Sequence, residues 1–285
     1  MTWLTPDPGE HPAKRLRALL DGDEVLVVPG VFSGLTGLLA REAGARALWM
    51  SGAAFSASMG MPDVGLVTLD ELARAARQIV RVTRLPLLVD AGSGFGGPLM
   101  VMRTVRELEG ARCAAIQLAG EMGADVGMFV AKVAAAIAAR QHLVVVARID
   151  GGAVGGVEGA VRRALACREA GADVIFPEGL GSEEELGAFA REVPGPLLTD
   201  RAELAPNLSA VRLAELGYRL MTFPASATLV GAGQVRAFYR GLLRDGAQAG
   251  WTERTLTQEE LAGLLGRDDY AALERGPSRE PGDTP

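Results

Sequence analysis

The residues best suited to chemistry in this chain stand at or near the ends of short aliphatic runs. Ser51 ends Ala47–Ser51, Asp90 ends Pro86–Asp90, and Gln117 falls near the end of Ala114–Leu118. Arg148 ends Leu143–Arg148 with Asp150 just beyond it, Glu178 ends Val174–Glu178, Asp200 ends Pro196–Asp200, and Thr222 falls near the end of Leu220–Pro224. Brought to one rim, Asp90, Asp150, Glu178 and Asp200 would face the Arg148 guanidinium, a set able to hold a divalent cation, bind a small anion or move a proton. A lone charged residue at a strand end is ordinarily just solvated; several on one rim mark a site. Asp90 and Glu178 are the strongest candidates.

Two loops add to this set. The glycine-rich "DAGSGFGG" from Asp90 permits close backbone approach to an anionic ligand, but it lacks the lysine and following hydroxyl of a phosphate loop. The "SGAAFSASMGMPD" loop from Ser51 offers hydroxyls and amides that could cradle a carboxylate or phosphate, and its Asp63 is a possible cation ligand.

These residues need a frame that brings them together. Eight aliphatic or β-branched runs, the seven just named and Val25–Pro29, alternate with Ala-, Leu- and Arg-rich segments of helical spacing such as 69–82, 160–170 and 182–192. Strand then helix, repeated eight times, predicts an α/β chain folded as a (β/α)8 TIM barrel, whose active site forms at the carboxyl ends of the strands. Gly44, Gly110 and Gly171 are placed to end helices. Beyond the barrel, 227–246 and 257–273 read as additional C-terminal helices, the second opened by a Thr257/Glu260 cap. The expected organisation is a leader and first helix over 1–23, the barrel over 24–250, a helical extension over 251–275 available for exchange between subunits, and a disordered tail over 276–285.

Composition excludes several function classes. A 48% hydrophobic, 22% charged chain of 285 residues can bury a large core. A net charge of −6 leaves no basic excess for nucleic acid. Apolar runs fall far short of the roughly 20 residues that span a bilayer, and the polar start lacks a signal core, so no membrane partner and a cytoplasmic location are expected. Cys113 and Cys167 lie in apolar segments and read as buried, inert thiols. His11 is expected in a mobile leader and His142 at a strand start, which leaves no His-based zinc site or Ser-His-Asp relay.

The runs "PGVFSGL", "SGAAFSASMGMPDVGLVTLDEL", "PLLVDAGSGFGG", "VVARIDG" and "AGADVIFPEG" together resemble the framework of the isocitrate lyase and phosphoenolpyruvate mutase superfamily, over about 25–249. The resemblance implies cleavage or formation of a carbon-carbon or carbon-phosphorus bond beside a carboxylate, through an enolate stabilised by Mg2+. It places Ser51, Gly52 and Ala53 in a substrate-carboxylate loop, Asp63 and Asp90 at the metal, and Arg148 and Glu178 at or behind the substrate. Trp49 and Gly94, in the same loop regions, are expected to contact substrate, and the family's tetramers imply a homo-oligomer, dimer or tetramer.

Departures from the family pattern are concentrated at the chemistry. Gly92 stands where a second aspartate is usual, and Gln117-Leu118-Ala119-Gly120 replaces His-x-Glu-Asp. The loop that normally carries a cysteine acid is shortened to "GADVGMF" over 123–129, and Asp200 replaces an asparagine. Three functions stay open at this level. One is an altered lyase on a small carboxylic or 2-oxo acid, with acid-base work moved to Glu121, Asp125, Asp150 or Asp200, although Asp150 could instead hold Arg148 by a salt bridge. Another is a non-catalytic ligand-binding or assembly barrel. The third is a metal-independent activity on a bulkier apolar substrate admitted past Met128 and Phe129.

Overall fold

The computed structural model describes residues 2–5, 7, 9–120, 126–152, 155–200, 208–248 and 250–275. The chain forms two compact units, Gly9–Gly231 and a second comprising Met1–Pro8 with Ala232–Pro285. In the first, eight parallel strands close into a barrel in sequence order. They are β1 (Leu26–Val31), β2 (Leu48–Met50), β3 (Leu87–Asp90), β4 (Ala115–Ala119), β5 (Val144–Asp150), β6 (Val174–Glu178), β7 (Leu197–Asp200) and β8 (Tyr218–Phe223). Helix α1 (Pro12–Leu20) precedes β1, and α2 (Gly34–Glu42) and the pair α3 (Gly52–Ser58) and α4 (Leu69–Thr83) follow β1 and β2. Then α5 (Pro98–Gly110), α6 (Val126–Ala139), α7 (Gly156–Glu169), α8 (Glu183–Glu192) and α9 (Ala210–Glu215) follow β3 to β7, and α10 (Ser226–Asp245) follows β8.

The two-residue period of the strands divides the core in two. One cluster, with Leu26, Val28, Trp49, Leu88, Ala115, Val146, Phe176, Leu198 and Leu220, fills the barrel interior. The alternate residues, among them Leu48, Met50, Val89, Ile116, Val145 and Ile175, pack outward against the helices. α4 shows why the helices form where they do: a Thr68/Glu71 capping box opens it, and Leu72, Ala76, Ile79 and Val80, at helical spacing, are buried on one stripe.

α1 seals the interior at the amino ends of the strands. Its Leu16 and Leu20 join the inner cluster, and Arg17 pairs with Asp173 at 2.8 Å while also reaching the Leu143 carbonyl. His11 therefore does not sit in a loose leader. It is the N-cap of α1, with Nδ1 accepting from the Ala13 N–H at 3.2 Å, and its ring lies 4.6 Å from that of His142.

Other expectations shift for local reasons. Gly110 is the last residue of α5, not its stop; the left-handed turn is taken by Arg112 at φ 60°. The single helix expected over 257–273 is two, α11 (Gln258–Leu264) and α12 (Arg267–Arg275), because Gly266 adopts φ +73°, which ends the helical path. The Thr257/Glu260 capping box that opens α11 is present. The expected tail over 276–285 lies outside the described residues. Among the described residues no helix is long and apolar enough to cross a membrane.

The His11 cap makes stability depend on pH. Burial, then His142 and Arg112, with a smaller push from Lys14, hold the His11 pKa below its ordinary 6.5, against the opposing pull of Glu109. The unfolded chain then binds more protons than the folded one just below pH 6.5. The contribution is complete above that value and is lost as pH falls towards the depressed folded pKa. Thermal melts at pH 5 to 7.5 are expected to show a destabilisation on acidification smaller than the ~1 kcal/mol that an N-cap is usually worth. His11→Asn, which keeps a cap acceptor without titrating, should flatten that dependence, and a variant as pH-sensitive as the native chain would contradict the assignment.

Candidate active site at the carboxyl end of the barrel

The inward positions of the strands change character along their length. Leu88 is followed on the same face by Asp90, Ala115 by Gln117, Val146 by Arg148, Phe176 by Glu178, Leu198 by Asp200 and Leu220 by Thr222. At this polar end lies a pocket of about 420 Å³.

Asp63, Asp90, Arg148 and Asp200, with Ser51, Gly52 and Ala53, line the pocket. Ser51 is the N-cap of α3, its Oγ accepting from the Ala54 N–H at 3.4 Å, which fixes the loop on which Gly52 and Ala53 face the cavity. Asp90 is held by a hydrogen bond from the Gly92 N–H to its Oδ1 at 2.9 Å. The loop beyond it turns through Gly92 (φ +53°), Gly94 (φ +84°) and Phe95 (φ 62°). A left-handed phenylalanine is uncommon and costs energy, and here the ring lines the pocket.

Gly94 does not reach the cavity lining. A Cβ there would meet Val101 Cγ2 at 2.5 Å, and its carbonyl accepts from Thr104 Oγ1 at 3.2 Å, so it seats the loop against α5. Trp49 does line the pocket, from the inner face of β2.

Arg148 pairs with Glu178, Nη1 to Oε1 at 3.1 Å. The alternative in which Asp150 anchors this arginine is not the arrangement seen: Asp150 Oδ1 instead accepts from the Gly152 N–H at 3.1 Å, and Asp150 is not among the pocket-lining residues. Glu178 is also behind the lining, about half exposed, and its pKa is raised by burial and by Asp200, Asp90 and Asp150, against the opposing pull of Arg148. Arg148 is thus matched by Glu178, while Asp63, Asp90 and Asp200 are the carboxylates among the described residues that line the pocket.

Glu121 and Asp125 lie outside the described residues. Of the two side chains expected near an apolar gate, Phe129 is buried in the outer core and Met128 is half exposed, and neither lines the pocket. The thiols of Cys113 and Cys167 are each pushed up to about 12 by burial, which leaves them protonated and inert. Sequence reasoning did not include Val67, Leu72, Phe95 and Phe176 in the wall. Phe176 was legible as the inward neighbour of Glu178, while the others depend on the loop paths.

Comparison with known proteins agrees with this fold and identifies the family. The family described as phosphoenolpyruvate phosphomutase matches residues 16–243. The 2-methylisocitrate lyase of Aeropyrum pernix is 39% identical, over 98% of this chain and 96% of that one. The 2,3-dimethylmalate lyase of Eubacterium barkeri is 33% identical, over 92% and 96%. A phosphonopyruvate hydrolase solved with oxalate and Mg2+ superposes with a TM-score of 0.88 at 28% identity, covering 94% of this chain and 99% of its own. With a family match across most of its length, and with carbon-carbon lyases among its relatives, the chain belongs to the phosphoenolpyruvate mutase and isocitrate lyase superfamily.

Proposed function

We propose that this protein is a carbon-carbon lyase for a small carboxylic or 2-oxo acid, working through an enolate-type intermediate. One observation carries the reading: Asp63, Asp90, Asp200, Arg148 and the Ser51–Ala53 loop, from separate parts of the sequence, line one small cavity.

Arg148 binds the substrate carboxylate, and Glu178 positions its guanidinium. Ser51, Gly52 and Ala53 hold the other end of the acid, with Trp49 against it. Asp200 is the lining carboxylate free of a metal assignment and takes or returns the proton during bond cleavage; Asp150 supports the rim from behind. The phenyl rings of Phe95 and Phe176 exclude water from the enolate.

The donor set fits Mg2+ and not an all-protein cage. Among the described residues no group of three or more His, Cys, Asp or Glu is arranged to hold a metal. Mg2+, however, commonly takes one or two carboxylates and completes its shell with water and substrate. Asp63 and Asp90, which line the same cavity, would supply those carboxylates. When bound, the cation supplies electrostatic stabilisation of developing enolate charge.

The replacement of two acidic family positions by Gly92 and Ala119 favours a second reading, a ligand-binding barrel without turnover. Thermal-shift titration separates the two. Mg2+ and oxalate, an enolate mimic, are expected to stabilise the chain more together than singly, and no response to either would remove the lyase reading. Asp90→Ala should abolish the Mg2+ response, whereas Arg148→Ala should weaken oxalate more than Mg2+; equal loss of both in the arginine variant would contradict its role as the anion contact.

The glycine at 92 offers a gain-of-function check. A Cβ there meets nothing within 4 Å, and aspartate tolerates left-handed backbone better than most residues. Gly92→Asp is expected to tighten Mg2+ binding about tenfold, the worth of one further charged ligand at a partly exposed site. An unchanged titration would mean that the cation does not bind at this loop.

The C-terminal helices support self-association, as a dimer or tetramer. No residue of α10, α11 or α12 is buried, and Leu229, Val230, Tyr239, Leu243 and Leu265 are exposed. Light scattering is expected to give a mass above one chain, and Leu229→Arg with Leu243→Arg should lower it; a monomeric native protein would rule the assembly out.

A further inference from the structure

We infer that Lys132 of α6 is a positioning residue, which pins the loop after β3 so that the Asp90 carboxylate is presented to a divalent cation; this rests on the reading of Asp90 as a Mg2+ ligand. Lys132 does not itself line the cavity. It reaches the site through the backbone: its Nζ donates to the Ser93 carbonyl at 3.0 Å, and Ser93 is a lining residue. The loop needs such a hold. Gly92, Gly94 and Phe95 all take left-handed backbone, and a phenylalanine in that conformation persists only where its surroundings enforce it.

Three consecutive carbonyls provide that enforcement, each gripped from a different element. The Gly92 carbonyl accepts from the Ala119 N–H of β4 at 2.8 Å, the Ser93 carbonyl from Lys132 of α6, and the Gly94 carbonyl from Thr104 Oγ1 of α5 at 3.2 Å. The Gly92 N–H, at the start of this pinned segment, is the group that donates to Asp90 Oδ1 at 2.9 Å. The carboxylate therefore takes its orientation from a loop whose next three peptide planes are held. Of the three donors only Lys132 is charged, which makes its bond the stronger kind. Thr104 is fully buried and holds the inner side of the loop, whereas Lys132 and Ser93 are only partly buried, so the lysine grips the side nearer solvent. Its charge gives the inference a distinctive sign. An ammonium repels a bound cation, so on charge alone removing Lys132 would tighten Mg2+ binding. Positioning predicts the reverse, because a carboxylate that is no longer held must be ordered each time the cation binds.

Calorimetric titration of the full chain with Mg2+ reads that sign. Lys132→Met keeps the aliphatic stem and removes the ammonium; it should weaken Mg2+ binding about tenfold, the lower end of what losing a group that orients a metal ligand costs. Lys132→Arg, which keeps both charge and donors, should restore most of the affinity. Amide hydrogen exchange without any metal is the second measurement: in Lys132→Met the Gly92 and Gly94 amides should exchange faster while the barrel strands keep their protection. Mg2+ binding that is unchanged or tighter in Lys132→Met, with the native chain binding normally, would overturn the positioning role alone. Exchange that rises throughout the barrel, not in the loop, would overturn it too, since the lysine would then serve general stability. A native chain that does not bind Mg2+ would remove the metal assignment of Asp90 and the role of Lys132 with it. Should Lys132→Met fail to fold, Lys132→Gln, neutral and shorter, takes its place with the same loss expected.

Discussion

Closure of the eight-stranded sheet is the constraint from which the site follows. In a closed parallel barrel every second side chain of every strand is forced into one shared interior. That interior must be filled at the amino end and in the middle, which Leu26, Val28, Leu88, Val146 and Leu220 do, with Leu16 and Leu20 of α1 as the seal. At the carboxyl end the same face opens, and its residues can be polar because loops and a ligand, not packed strands, surround them. Asp90, Gln117, Arg148, Glu178, Asp200 and Thr222 share a rim for this reason, although nothing links them locally.

Electrostatics give that rim its character. The Arg148–Glu178 pair is close to neutral, and Asp63, Asp90 and Asp200 line the cavity beside it. Glu178 registers its surroundings: burial, together with Asp200, Asp90 and Asp150, makes its ionised form costlier, even with the Arg148 guanidinium in contact. An anionic substrate beside these carboxylates is favoured by a bound cation, and this links the proposed Mg2+ to the proposed lyase chemistry. On the proposed reading, Gly92 and Ala119 would thin the acidic shell that holds the metal, while Gln117 adds a neutral amide to the lining. The loop from Asp90 carries the backbone cost of that arrangement at Phe95.

Much of this was legible in the sequence. Eight β-rich runs separated by helical spacing determine the barrel, since strands buried on both faces read as unbroken aliphatic segments and the helices between them as amphipathic stripes. Apolar surroundings determined the inert state of Cys113 and Cys167, and the motif order from "PGVFSGL" to "AGADVIFPEG" determined the superfamily. Tertiary structure alone decided which polar residues share the cavity. Gly94 and Asp150 have the right spacing but spend their interactions on α5 and on the Gly152 amide, and Glu178 sits behind Arg148. His11 became a helix cap because α1 docks beneath the barrel. Periodicity fixes the face on which a side chain lies, because that depends on neighbours in the chain. Its depth, its partner and whether its hydrogen bonds are satisfied depend on loop paths and on groups distant in sequence, which only the closed barrel brings together.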